Sequence, residues 1–274
     1  MNAPYPNPFS DREYLRREQY SDATNLNARI LIHQLFSTGN QSWNDFIFEH
    51  LPPQPGIKIL ALGCGNAMQW RVNQHRFPLS DQIFLTDISY GMVAEAQNAL
   101  INNPRFFVSC QDSLDLAFSE GNFNFITANH MLYHVASVGK VLSRAARLLK
   151  PEGGFMAATN GPGHMRELDA LLSEFDARFV GHGAVNAPFN LENGAWQLSP
   201  YFDKIERVDY PSDLWITTSS LLSAYAFSMP AVRLTLPAER ETELVSFLQL
   251  RIEQDGGILI HKETGIFLAG EPHH

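Results

Sequence analysis

Residues 57–67 read IKILALGCGNA, an apolar run of strand length that breaks into glycines and other small residues, with Gly56 just ahead of it. The run has no helical period, while the polar stretch that follows, Gln69 to Gln74, is compatible with a helix. The segment therefore predicts a strand, a glycine turn and a helix.

Working outward, the same unit recurs. Gln82–Thr86 is a second apolar strand ending at Asp87, and Gly91–Leu100 places Met92, Ala96, Ala99 and Leu100 at helical spacing. Phe106–Ser109 predicts a third strand, Phe123–Ala128 a fourth, Val138–Leu149 a helix closed by Pro151 and Gly153, and Gly154–Thr159 a fifth strand. Strands that alternate with helices imply a parallel, doubly wound α/β sheet. Upstream, Leu26, Ile30, Leu31 and Leu35 recur at helical spacing, and Asp45–Leu51 makes a further apolar turn before Pro52 and Pro53. Downstream of Thr159 the pattern changes. A helix over His164–Phe179, a loose stretch to Pro188 and a helix from about Leu191 predict an inserted cap. Phe202–Tyr210 then predicts a sixth strand, Ser219–Phe227 and Ala238–Gln254 helices, and Gly257–Ala269 two short strands turning at Lys262–Gly265.

Composition narrows the function. The 274 residues carry 20 Lys and Arg against 29 Asp and Glu, a net charge of −9, with no dense basic cluster, which disfavours nucleic-acid backbone binding. Met1–Ile30 mixes Pro, Asp, Arg and Glu without an apolar stretch long enough for a signal peptide or membrane anchor, so a cytoplasmic location is expected. Cys64 and Cys110 belong to no CxxC or His/Cys cluster, which predicts free thiols and no metal. The terminal His273 and His274 are set aside.

The candidate ligand residues stand at strand ends, where ligands bind in this architecture. Gly63 and Gly65 let the main chain approach a ligand closely, or simply serve a turn. Asp87, twenty-two residues beyond Gly65, can accept both hydroxyl hydrogens of a ribose or cap the following helix. Asp112 and Ser113 follow the third strand.

In order along the chain, ILALGCGNA, TDISYGM, QDS, FNFITANHMLYHV and LLKPEGGF resemble the motif series of class I S-adenosylmethionine-dependent methyltransferases. The resemblance is strong over Ile57–Asn160. It continues in LNARILIHQLFSTGNQSW, ATNGPGHMREL, FNLENGAWQL and GIFLA, which are similar to a bacterial subgroup of small-molecule enzymes, methyltransferase type 11-like. It implies a Rossmann-like, mostly parallel seven-stranded sheet with N-terminal helices and a helical cap inserted after the fifth strand. The expected division is a helical lid at 1–56, a cofactor-binding core at 57–160, the cap at 161–200 and C-terminal strands with inserted helices at 201–272.

The resemblance also implies S-adenosyl-L-methionine as cofactor. Gly63, Cys64, Gly65 and Asn66 would lie at its methionine part, Asp87 at the ribose, Ile88 and Met92 beside adenine, and Asp112 and Ser113 at its amino edge, with Asn129 and His130 closing the site. Two positions depart from the pattern. Ala61 stands where an acid that helps to position the cofactor's amino end is usual, and Ala67 where a third glycine is. Arg29 and His33, four apart on the early helix, can together face the methionine carboxylate, and Trp43 can cover the cofactor or pack the first helices.

For a sulfonium methyl donor the protein must chiefly align the acceptor and exclude water. His130, Tyr133 and His134 follow the fourth strand at the mouth of the cleft and are the catalytic candidates, the two histidines sharing a face if the segment is helical. Asn160, His164 and Glu167, then Glu192 and Asn193, fall around the acceptor pocket by resemblance. Phe189, Trp196, Tyr201, Trp215 and Tyr225 line an apolar pocket or pack the core. A small-molecule O, N or C acceptor is expected. Two alternatives stay open: a methyltransferase-like protein that binds the nucleoside without catalysis, and a NAD(P)-dependent oxidoreductase, which would want GxGxxG and a Tyr-x-x-x-Lys absent here.

Overall fold

The computed structural model describes residues 13, 24–52, 55–179 and 187–273. Most of the predicted lid before Thr24 and the loose stretch over residues 180–186 lie outside the described residues.

The expected sheet is present. It has seven strands in the order β3-β2-β1-β4-β5-β9-β6. They are β1 (Lys58–Leu62), β2 (Gln82–Asp87), β3 (Phe106–Cys110), β4 (Phe123–Asn129), β5 (Leu149–Asn160), β6 (Phe202–Asp209) and β9 (Thr264–Pro272). Strands β1 to β5 are parallel, and β9 runs antiparallel between β5 and β6. The chain winds outward from β1 through β2 to β3, then returns to start β4 on the other side of β1. Leu62 at the end of β1 is level with Thr86 on one neighbour and Ala128 on the other. A crevice thus opens at the carboxyl ends of β1 and β4, the topological switch point of the sheet.

Period-two alternation distributes the strands' apolar side chains between two faces. Leu60, Leu62, Ile126, Ala128, Phe155 and Ala157 join a core covered by α5 (Val138–Leu148) and α7 (Gly194–Leu198). Ile59, Ala61, Ile83, Leu85, Met156 and Ala158 join another, covered by α2 (Trp43–Glu49), α3 (Met68–Asn73) and α4 (Tyr90–Leu100). Helix α5 follows from its sequence: Val138, Val141, Leu142, Ala145 and Leu148 repeat at three and four and are all buried. Helix α4 starts where it does because the Ser89 hydroxyl accepts from Met92 N–H.

A separate core lies beyond the carboxyl end of the sheet. It gathers Ile32 of α1 (Thr24–Phe36), Leu168 and Leu172 of α6 (Arg166–Phe175), Leu222 and Ala226 of α8 (Ser219–Ser228), Val232 of α9 (Pro230–Thr235), and Leu244 and Leu248 of α10 (Glu241–Asp255). Two short strands, β7 (Leu214–Ile216) and β8 (Ile258–Ile260), pair antiparallel and give it Leu214, Ile216, Ile258 and Ile260. The two strands predicted in Gly257–Ala269 are present and belong to different sheets, because β8 takes β7 as partner and β9 fills the gap between β5 and β6. The segment after β5 is likewise shared, with α6 in the separate core and Phe189, Leu191 and Leu198 under the main sheet. No helix among the described residues is long and apolar enough to cross a membrane.

Candidate functional site

At the crevice, Gly63, Gly65 and Ala67 all take left-handed backbone, with φ of +62°, +56° and +57°. Alternating such residues with ordinary ones curls the loop so tightly that it needs little side chain. Cys64 N–H donates to Thr86 O at 2.9 Å, which ties the loop to β2. Asp87, the last residue of β2, accepts Gly65 N–H on Oδ2 and Ser89 N–H on Oδ1, both at 2.9 Å. One carboxylate therefore clamps the two loops together while it lines the cavity. Burial raises the Asp87 pKa, and the N–H donors oppose that rise. Burial likewise pushes the Cys64 thiol well up, so it stays protonated.

A Cβ on Gly63 would stand 2.7 Å from Met131 Cβ in a left-handed conformation. Gly63→Ala is therefore expected to destabilise the fold by about 2–4 kcal/mol, combining left-handed strain with overpacking, and urea denaturation measures it.

The crevice opens into a cavity of about 660 Å³, within the range of small-molecule sites. Asn129, at the end of β4, donates to Gln69 Oε1 at 2.9 Å, while its own Oδ1 is buried with no hydrogen-bond partner among the described residues. His130 follows with φ +53° and rests on Trp43, ring centroids 5.3 Å apart. Beyond them the wall is aromatic and polar. Trp43 meets Tyr210 edge-on at 5.1 Å, Lys262 Nζ lies 4.9 Å from the Tyr210 ring, and His33 packs against Tyr225 at 5.9 Å and His164 at 6.4 Å. The Thr264 hydroxyl donates to Asn160 Oδ1 at 2.8 Å, and having one hydrogen it accepts from His164 Nδ1, 3.2 Å away. Burial, with Lys262, His130 and Arg29 nearby, lowers His33 to about 3, and burial with Arg29 lowers His130 to about 4. Both imidazoles are neutral near pH 7.

The methyltransferase domain family matches residues 60–157, which hold the glycine loop, Asp87 and β4. Residues 60–157 are a class I S-adenosylmethionine-dependent methyltransferase domain. A demethylmenaquinone methyltransferase of Symbiobacterium thermophilum is 26% identical over 155 residues, covering 55% of this chain and 61% of that protein. The chain thus spans less than two thirds of that relative's length. The fold is shared with phosphoethanolamine N-methyltransferase 2 of Haemonchus contortus, solved with phosphomonomethylethanolamine and S-adenosylhomocysteine (TM-score 0.57, 19% identity, 96% of this chain and 60% of that one). It is also shared with the [4+2]-cyclase SpnF (TM-score 0.58, 16% identity, all of both chains).

Around the methyltransferase domain's cavity the structure brings together Arg29, Gly63, Cys64, Gly65, Asn66, Asp87, Ile88, Met92, Asp112, Ser113, Asn129, His130, Tyr133, His134, Asn160 and His164. Glu192 and Asn193 are corrections, since neither lines it. Glu192 is exposed, and Asn193 is spent on the turn into α7, accepting Asn190 N–H and donating to Ala187 O at 2.8 Å each. Glu167 also faces elsewhere, accepting from His261 N–H and Nδ1. His130 and His134 do not share a helical face: the short 3-10 turn covers only Leu132–His134, and the left-handed His130 precedes it. Of the five pocket aromatics considered, Tyr225 alone lines the cavity. Phe189 is core and Trp196 is 77% exposed. Gln69, Tyr210, Lys262 and Thr264 were missed. They come from scattered elements, and no local motif marks them. Among the described residues Cys64 and Cys110 are free, and no group of three or more His, Cys, Asp or Glu is placed to hold a metal.

Proposed function

We propose that the chain transfers a methyl group from S-adenosylmethionine to a small-molecule acceptor. The observation that carries this reading is the Asp87 carboxylate, held by Gly65 and Ser89 N–H at the switch point of the sheet and open to the cavity. The residues present fit the cofactor. The buried, unsatisfied Asn129 Oδ1 is an acceptor for an ammonium group and offers a neutral substitute for the acid that Ala61 lacks. Gly63, Cys64, Gly65 and Asn66 would receive the methionine part with Arg29, Asp87 the ribose, Ile88 and Met92 the adenine faces, and Asp112 and Ser113 its edge.

When bound, the cofactor supplies an electrophilic methyl on a good leaving group. What remains for the protein is placement and exclusion of water. His130, Tyr133 and His134 wall the acceptor side. His130, neutral and deeply set, can take a proton from an acidic acceptor atom, while Trp43 fixes its ring. In this reading residues 57–160 carry the cofactor. The acceptor walls come from 1–56 through His33 and Trp43, from 161–200 through His164, and from 201–272 through Tyr210, Tyr225, Lys262 and Thr264. The net charge of −9 favours a small molecule over nucleic acid, and the free thiols suit the cytoplasm.

Calorimetric titration with S-adenosylmethionine and S-adenosylhomocysteine, beside NAD(H), tests the reading. Micromolar binding of the sulfur nucleosides and none of NAD(H) is expected. NAD(H) binding with silence toward the sulfur nucleosides would overturn it.

A further inference from the structure

The far end of the cavity has an electrostatic character that the rest of the chain does not share. The protein has 29 carboxylate side chains, yet Asp87 and Asp112 are the only two lining the cavity among the described residues, and both stand at the end assigned above to the cofactor. At the opposite end lies Lys262. Its ammonium is half-buried, makes one hydrogen bond among the described residues, to Ser37 Oγ at 3.1 Å, and forms no ion pair there. A half-buried ammonium has three donors to satisfy, and with one of them on Ser37 the others are available to an anion in the cavity.

The placement of Lys262 is firm. Its own N–H donates to Asp213 Oδ1 at 3.0 Å, His261 O accepts from Met165 N–H at 3.0 Å, and Glu263 O accepts from Gly161 N–H at 2.8 Å. Three consecutive residues are thus pinned, two of them by the 161–165 loop and one by Asp213, and the side chain is delivered across the Tyr210 ring into the cavity. Asp213 binds the main chain of Lys262 and does not line the cavity. Its charge partly offsets the effect of burial, which lowers the Lys262 pKa to about 8 and leaves the ammonium predominant at neutral pH.

We propose that Lys262 anchors an anionic group of the methyl acceptor, a carboxylate or a phosphate, and that the acceptor is therefore a small organic anion. The inference rests on the methyltransferase reading. Between Lys262 and His130 the wall is made by Tyr210 and Trp43, each ring touching the next. An acceptor anchored at Lys262 lies along these two rings and reaches the cofactor end at His130. The anion is a handle at one end of the molecule, and the atom that receives the methyl is at the other.

The test uses the full chain saturated with S-adenosylhomocysteine, titrated calorimetrically with matched pairs: benzoate beside benzamide, 3-phenylpropanoate beside its amide, and phenyl phosphate beside phenol. At least one anion in the set is expected to bind about tenfold or more tightly than its neutral partner. Lys262→Met is expected to abolish that preference and leave S-adenosylhomocysteine affinity unchanged, and Lys262→Arg to retain it. Preference for carboxylates over phenyl phosphate, or the reverse, assigns the anion. Neutral partners binding as tightly as the anions, no anion binding at all, or a Lys262→Met variant that keeps the preference would each overturn the proposal. Failure of S-adenosylhomocysteine itself to bind the wild-type chain would instead overturn the methyltransferase reading, so the two failures are distinguishable.

Discussion

Asp87→Ala is expected to weaken S-adenosylhomocysteine binding by about two to three orders of magnitude. On the proposed assignment the carboxylate accepts two ribose hydroxyls, and charge-assisted hydrogen bonds of that kind contribute about 1.5–3 kcal/mol each. Losing both amounts to roughly 3–4 kcal/mol even when part is recovered from water, which is a factor of about 10²–10³ in affinity. The substitution also removes the acceptor for Gly65 and Ser89 N–H, so the two loops lose the clamp that sets their spacing. Asp87→Asn separates these contributions: it keeps the shape but turns an amide donor toward one of the two N–H groups. Its affinity is also expected to fall by about tenfold or more, with smaller loss of thermal stability than in Asp87→Ala. Calorimetric titration with melting curves on both variants checks this. Affinity within threefold of wild type in Asp87→Ala would remove the ribose role.

Acidification from pH 7 to pH 5 is expected to destabilise the cofactor-free protein by about 4 kcal/mol through two histidines. His33 is lowered to about 3 chiefly by burial, with Lys262, His130 and Arg29 nearby, and His130 to about 4 by burial and Arg29. In the unfolded chain both titrate near 6.5. The sign follows from proton counting: between pH 6.5 and these folded values the unfolded state binds more protons, so stability falls as pH falls through that window. Each histidine contributes roughly 2 kcal/mol of that loss by pH 5. Asp87 works the other way, since a carboxylate with a raised pKa favours the folded state at low pH and loses that contribution as pH rises. Its contribution opposes that of the two histidines over the same pH range. For a chain of this size, 4 kcal/mol corresponds to a fall of about 8–16 °C in Tm. Melting curves at pH 7 and pH 5 on wild type and His33→Gln check it: the variant should lose about half of the pH dependence. An unchanged slope would show that His33 is not held neutral.

The two predictions draw on different parts of the molecule, and the difference explains which features were legible in sequence. Gly63, Gly65 and Asp87 occupy strand ends that the hydrophobic pattern locates within a residue or two, and in a parallel sheet such ends converge on one edge whatever the rest of the chain does. The core followed for a similar reason. A strand such as Ile59–Leu62, buried on both faces, can only be central, and a helix with Val138, Val141, Leu142 and Ala145 on one stripe can only cover it. Glu192 and Asn193 show the limit. The resemblance placed them around the acceptor pocket, but the chain turns under the main sheet there, and the Asn193 amide is consumed in that turn. The sheet partners of β8 and β9 were not legible either, because a short strand takes whichever edge is open to it, and β7 supplied one.

By itself the sequence determined the alternation of strands and helices in the main sheet and the loops that carry the cofactor residues, because hydrophobic period and glycine placement act over a few residues and need no distant partner. Only the tertiary structure decided the acceptor end. His33, Trp43, Tyr210, Tyr225 and Lys262 stand in five separate segments, and they meet because a second core of β7, β8 and helices α1, α6 and α8 to α10 packs over the crevice. Long-range burial of that kind depends on shape summed over the whole chain, which no local pattern encodes.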